Sequence, residues 1–125
     1  MKIMIFFCGI YSVAFAIFHA LFWRIFQWKV TLKQLNFSNK AIIQILNCRL
    51  IYFFLLIGFI CFAYPDELLH SVLVDVLLAG VALFWAGRTI EQFIFLKTLK
   101  DWRVHLLTII FLVGFILFGL PLVIN

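Results

Sequence analysis

Long apolar runs with only short polar breaks between them constrain this chain more than any other feature. Residues 50–64 read LIYFFLLIGFICFAY, and apolar residues make up 67% of the chain against 12% for charged residues. Such a composition lies far outside that of an average soluble domain. A membrane β-barrel is also disfavoured, because its strands are segments of about ten residues that alternate apolar and polar. The continuous runs therefore predict an all-α integral membrane protein.

The lengths of these runs predict four transmembrane helices. A helix needs about 20 apolar residues to cross a hydrocarbon core roughly 30 Å thick. The predicted spans cover about residues 3–26, 41–63, 68–95 and 104–124. We expect a single domain over residues 1–125 with the four helices antiparallel. The first run continues past the sequence AFA, which resembles a signal-peptide cleavage site, so we expect this segment to be retained as a span.

The basic residues predict how the chain is oriented in the membrane. Seven of them flank the first and third loops: Arg24, Lys29, Lys33, Lys40, Lys97, Lys100 and Arg103. Only Lys2 lies on the opposite side. Because loops rich in Lys and Arg stay in the cytoplasm, we expect both chain ends and the second loop, YPDE, to lie outside a bacterial inner (cytoplasmic) membrane. The expected partner of the basic residues is the lipid bilayer, and no nucleic acid is expected.

The first two loops are expected to differ in structure. The first, QWKVTLKQLNFSNK, mixes basic and apolar residues irregularly, as expected for a segment along the headgroups. Ser38 or Asn39 is expected to cap the second span. The second loop is expected to be a tight hairpin, because Pro65 ends one helix while Asp66 and Glu67 favour the start of the next.

Polar residues enter the cytoplasmic halves of three predicted spans. They are His19, Gln44, Asn47, Arg49, Arg88, Glu91 and Gln92. Gln44 and Asn47 share a helical face, and Arg88 is spaced to pair with Glu91. Because lipid supplies no hydrogen bonds, we expect these residues to form one polar cluster that joins the helices.

Two alternatives concern the same residues. Arg49 points roughly 160° away from Asn47 around the helix, so it is expected either to extend to the headgroups or to reach Glu91. The cluster is alternatively a water-accessible substrate or proton site, built from His19, Asn47, Arg88 and Glu91.

Asp75 lies in the outer half of the third predicted span. It shares a helical face with Ala79, Ala82 and Ala86, and small residues of this kind allow helices to approach closely. We therefore expect the Asp75 carboxyl to pack against protein. It is interpreted as a packing residue, with a proton carrier as the alternative.

Familiar catalytic and cofactor motifs are absent from the sequence. There is no HExxH, P-loop, GxGxxG or Ser/His/Asp pattern, so catalysis by a familiar motif is disfavoured and no cofactor is expected. The polar cluster leaves open a lipid-modifying enzyme as the alternative. His19 and His105 leave open an axial haem pair, and Cys8 and Cys61 leave open a thiol redox function.

Three stretches, FHALFWRIFQW, NKAIIQILNCRLIY and LFWAGRTIEQFIF, together resemble a group of small four-helix bacterial membrane proteins. The resemblance implies the fold but no activity and no site residues. The chain is also similar in length to small multidrug transporters. Their essential carboxylate lies in the first span, and the first span here contains no carboxylate.

The expected function is that of a non-enzymatic subunit that associates with itself or with another membrane protein. The polar cluster and the Ala and Gly faces of the third and fourth spans would organise it. The alternative is a proton-coupled transporter of a small solute. Asp75 or Glu91 would then carry the proton, and Arg88 would hold the substrate.

Overall fold

The computed structural model of the protein describes residues 2–96 and 101–124, and within them all regular structure is helical. The helices are α1 (Lys2–Ala20), α2 (Phe22–Ile25), α3 (Trp28–Thr31), α4 (Phe37–Ala63), α5 (Pro65–His70), α6 (Val72–Phe95) and α7 (Trp102–Ile124), with a 3₁₀ turn at Leu32–Gln34. Four of them, α1, α4, α6 and α7, are long and apolar enough to cross a membrane. This confirms the prediction of an all-helical chain with four candidate spans and fits a multi-pass membrane protein. Lys97 and Lys100, which entered the orientation argument, lie outside the described residues.

The predicted first span is too long. The helix α1 ends at Ala20, and the next residues form a short separate helix before the chain turns at Gln27. Gln27 has a φ of 49° and a left-handed backbone conformation, which an α-helix of L-residues cannot continue through. The segment after residue 20 stays apolar, so hydropathy alone does not detect the end of the helix.

The predicted third span is interrupted before its long helix begins, whereas the tight hairpin at YPDE stays a prediction. Pro65 begins the short helix α5, as expected for a residue whose missing N–H is not needed in the first turn. Ser71 is extended, with φ −117° and ψ 131°, and separates α5 from α6. The long helix of this region therefore begins at Val72 and not near residue 68.

The start of α4 is capped by a different residue from those predicted. The side-chain oxygen of Asn36 accepts a hydrogen bond from the backbone N–H of Asn39 at 2.8 Å. Because α4 begins at Phe37, Asn36 is its N-cap and Asn39 is the third helical residue. Ser38 and Asn39, the predicted caps, lie inside the first turn.

The chain divides into two compact units. We call Gly9–Phe62 the first unit, and Met1–Cys8 together with Ala63–Asn125 the second unit. The expectation of a single domain stays a prediction.

The first unit is held by close contact between α1 and α4. A Cβ atom added to Gly58 would lie 2.7 Å from Cγ2 of Val13 and 3.4 Å from the backbone oxygen of Gly9. The missing side chain of Gly58 therefore lets the two helices approach closely. Farther along, the rings of Phe15 and Phe54 lie 5.8 Å apart, and both are buried.

In the second unit α6 packs on α7 through aromatic side chains. The indole of Trp85, which is 2% exposed, stacks on the ring of Phe111 with centroids 5.7 Å apart. At the other end of α7, Sγ of Cys8 donates to the backbone oxygen of Leu117 at 3.4 Å. These contacts give the unit an apolar core beside which its polar residues are placed.

Candidate functional site

His19 and Asn47 form a reciprocal pair across α1 and α4. Nδ1 of His19 lies 2.8 Å from Oδ1 of Asn47. Nδ2 of Asn47 donates to the backbone oxygen of His19, also at 2.8 Å. Since α1 ends at Ala20, this backbone oxygen is among the last four of the helix, which have no partner within it. The buried Asn47 side chain thus caps the end of α1.

Aromatic rings surround the imidazole of His19. The ring of Phe22 lies 4.2 Å away between centroids, and the ring of Phe54 lies 5.3 Å away. The pair is therefore a polar contact enclosed by apolar groups, an environment in which each hydrogen bond is stronger than in water. This placement suits a helix-joining contact.

Gln44, one turn before Asn47 on α4, joins α4 to the short helix α2. Its Oε1 accepts from Nε1 of Trp23 at 2.9 Å, while its Nε2 donates to the backbone oxygen of Lys40 at 3.1 Å. Sequence reasoning missed this bond. An indole N–H near an amide at similar depth was the available signal.

Arg88 and Glu91 pair on α6, as their spacing predicts. Nη1 of Arg88 lies 3.3 Å from Oε1 of Glu91. The guanidinium also lies over the ring of Phe111, 4.6 Å from its centroid, an attractive cation–π geometry. Both charged side chains are partly exposed, so the pair is a surface ion pair of this unit.

Gln92 is 3% exposed and joins α6 to the start of α7. Its Nε2 donates to the backbone oxygen of Val104 at 3.2 Å and to Oγ1 of Thr108 at 3.3 Å. Thr108 in turn donates to Val104 at 2.8 Å. Sequence reasoning did not single out Thr108, because a threonine on an apolar helix often bonds only to its own backbone.

The predicted cluster is therefore resolved into two sets, one in each unit. His19, Asn47 and Gln44 are bonded within the first unit, and Arg88, Glu91 and Gln92 within the second. The joining of the two sets into one cluster stays a prediction. Among the described residues no buried side-chain nitrogen or oxygen lacks a hydrogen-bond partner.

Arg49 is exposed, which agrees with a position on a different face of α4 from Asn47. Its guanidinium lies 5.7 Å from the ring centroid of Tyr52, one turn along the helix. A cation that rests on an aromatic ring at the helix surface can extend toward the headgroups.

Asp75 does not pack as predicted. Its side chain is exposed, whereas Ala82 on the same face is buried. The reason is the break at Ser71: α6 begins at Val72, so Asp75 lies in its first turn. A carboxylate there is stabilised by the positive end of the helix dipole, and the interpretation as a buried packing residue is wrong.

The axial haem pair and the thiol redox function stay predictions. His105 is exposed near the start of α7. Cys8 and Cys61 are both buried, and neither forms a disulfide bond. Across residues 2–96 and 101–124 no group of three or more His, Cys, Asp or Glu side chains is arranged to hold a metal ion.

The polar residues of the spans thus serve mainly to tie helices to one another and to cap a helix end. Comparison with models of protein families, with curated proteins and with solved structures gives no match for this chain.

Proposed function

We propose that the protein is a non-enzymatic assembly subunit of a bacterial inner membrane, built from four antiparallel transmembrane helices. The observation that carries the proposal is that the buried polar side chains of the described spans all have hydrogen-bond partners. His19 with Asn47 and Gln92 with Thr108 are examples. A polar group held in this way stabilises helix packing and is not free to bind a solute.

The order of contacts supports antiparallel neighbours. In the first unit Val13 faces Gly58, Phe15 faces Phe54 and His19 faces Asn47. As the residue number rises along one helix it falls along the other, which is the pattern of antiparallel neighbours.

An ion pair supports the proposed orientation. Nζ of Lys2 lies 3.0 Å from Oδ1 of Asp66, so the start of α1 and the start of α5 lie at the same end of the second unit. Lys2 is the lone basic residue on the side proposed to face outward, and Asp66 offsets its charge. The ion pair therefore fits a proposal in which the start of α1 and the second loop share one side of the membrane.

The outward face of α6 supports association with another helix. Leu78, Val81, Ala82, Trp85 and Gln92 form its buried face. Gly80 and Gly87 lie on the opposite face, and a Cβ added to either would meet no atom within 4 Å. Two glycines seven residues apart on an apolar helix let a partner helix approach its backbone. We propose that α6 pairs there with α6 of a second copy.

The experiment is energy transfer between donor- and acceptor-labelled chains reconstituted together in liposomes. Wild type is expected to show transfer that falls on dilution with unlabelled chain. Gly80→Leu and Gly87→Leu should each reduce the energy transfer, because the bulky side chain keeps the helices apart. Gly119→Leu is the matched control, because Gly119 on α7 is equally open. Transfer that is the same in all variants would contradict self-association through α6.

Solute flux is the outcome that would favour the transporter alternative. The same liposomes, loaded with a pH-sensitive dye, are expected to show no proton flux above empty liposomes. The assembly proposal would be overturned if wild type showed proton flux, Asp75→Asn or Glu91→Gln abolished that flux, and Asp66→Asn left it unchanged.

A further inference from the structure

An open pocket of about 650 Å³ lies in the first unit, on the segment that connects α1 to α4. Basic and aromatic side chains dominate its lining: Arg24, Lys29, Lys33, Lys40, Trp23 and Trp28. The lining contains no acidic residue. The pocket therefore concentrates positive charge beside two indoles.

The walls of the pocket are held in place by specific contacts. Nε1 of Trp23 is bonded to Gln44 on α4, and the ring of Trp28 meets that of Trp23 edge to face with centroids 5.2 Å apart. Leu32, the first residue of the 3₁₀ turn, is buried, with 3% of its surface exposed. These contacts fix the indoles, so the pocket is formed before any ligand binds.

The backbone around the pocket is also ordered by its own bonds. Gln27 reverses the chain in a left-handed conformation, and its backbone oxygen accepts from the N–H groups of Val30 and Thr31. Oγ1 of Thr31 donates to the backbone oxygen of Phe26 at 3.2 Å. The basic residues of this segment are thus displayed by a folded structure.

The first unit contains no acidic residue of its own. All five acidic residues of the sequence lie at or beyond Asp66, whereas the stretch 9–62 carries Arg24, Lys29, Lys33, Lys40 and Arg49. The whole net charge of +5 therefore resides in the first unit. Four cations on one pocket repel one another, and a multivalent oxyanion relieves that repulsion.

We infer that this pocket binds an anionic phosphate group. Phosphate offers several strong acceptor oxygens to ammonium and guanidinium groups at once. The tryptophans favour the same level of the membrane, since indoles gather where headgroups meet acyl chains. The source of the phosphate is a lipid headgroup or a soluble phosphate ester, and the experiment separates the two. The inference is independent of the proposed assembly role.

The test uses the full chain purified in dodecyl maltoside and analysed by native mass spectrometry. Phosphatidylglycerol is the anionic lipid probe, phosphatidylcholine the zwitterionic comparison, and glycerol 3-phosphate the soluble probe. Wild type is expected to retain phosphatidylglycerol in preference to phosphatidylcholine. Lys33→Gln and Lys40→Gln should each weaken its binding about fivefold, the share of one cation near an anionic surface.

Two control variants remove the same charge elsewhere. Arg49→Gln removes a cation of the first unit that does not line the pocket, and Arg103→Gln removes an exposed cation in the first turn of α7. Both should bind phosphatidylglycerol within about twofold of wild type, because neither side chain lines the pocket. Thermal unfolding of each variant checks that the fold is kept.

The outcomes are distinct. If glycerol 3-phosphate does not displace phosphatidylglycerol, the ligand is a lipid headgroup. If glycerol 3-phosphate does displace it, the pocket recognises the phosphate group alone. Equal retention of the two lipids with no binding of glycerol 3-phosphate overturns the inference. So does equal weakening by Arg103→Gln and Lys33→Gln, because the attraction would then belong to the whole surface and not to the pocket.

Discussion

Asn47 binds His19 twice, once at the imidazole and once at the backbone, and the second bond determines the first. A backbone oxygen can only accept, so the atom of Asn47 that meets it is the amide nitrogen. Oδ1 is then the atom that faces Nδ1, so Nδ1 is the ring nitrogen that carries a hydrogen and donates it. One amide thus fixes the helix end, the ring position and the ring nitrogen that donates.

Loss of this amide should destabilise the protein. Asn47→Leu leaves the ring N–H and the end of α1 without partners in an apolar setting, at an expected cost of about 1–2 kcal/mol. The measurement is reversible unfolding in mixed micelles with increasing dodecyl sulfate. Cys48→Ala, at an exposed position on the same helix, should change stability by less than about 0.5 kcal/mol. Equal effects of the two substitutions would contradict the capping role.

The close approach of α1 and α4 predicts that Gly58 tolerates no side chain. The added Cβ of Gly58→Ala would lie 2.7 Å from Val13, so the helices must separate at a cost of about 1–3 kcal/mol. Val13→Ala in the same chain should recover part of the loss. Gly119→Ala is the control and should be neutral or stabilising by up to about 1 kcal/mol, because its site is open and helical. The same unfolding assay compares all four chains, and an unaffected Gly58→Ala variant would refute the close contact.

Substitutions of the neighbouring residues Gln92 and Glu91 on α6 should differ in how much they destabilise the protein. Gln92 is buried and bonded to α7, so Gln92→Leu is expected to cost about 1–2 kcal/mol. Glu91 is half-exposed and paired only within its own helix among the bonds described, so Glu91→Gln should cost about 0.2–0.5 kcal/mol. Unfolding midpoints of the two variants measure the difference, and a larger loss for Glu91→Gln would reverse the assignment.

Features that depend on composition and local spacing were predictable from the sequence. Long apolar runs predict four helices that can cross a membrane, and the structure has them. The pair of Arg88 and Glu91 follows from a separation of three residues along one helix. Such features need no knowledge of how distant parts of the chain pack.

Features that depend on distant packing or on a single backbone conformation were not predictable. Hydropathy does not locate the end of α1 at Ala20, since the residues directly after it, Leu21, Phe22 and Trp23, are also apolar. The break at Ser71 rests on one extended residue, and it moves Asp75 from the predicted interior to an exposed first turn. Gln44 bonds to Trp23, and Gln92 bonds to Thr108. Both pairings depend on which helix faces pack against one another.

The orientation of the chain is the most direct test of the account, because the placement of the basic pocket and the spans depends on it. Single cysteines are introduced as Gln34→Cys or Glu67→Cys after the three native cysteines are replaced by Ala, and intact cells are treated with a membrane-impermeant maleimide. The account predicts that Glu67→Cys is labelled in intact cells and that Gln34→Cys is labelled only after lysis. Labelling of Gln34→Cys from outside, with Glu67→Cys protected, would contradict it.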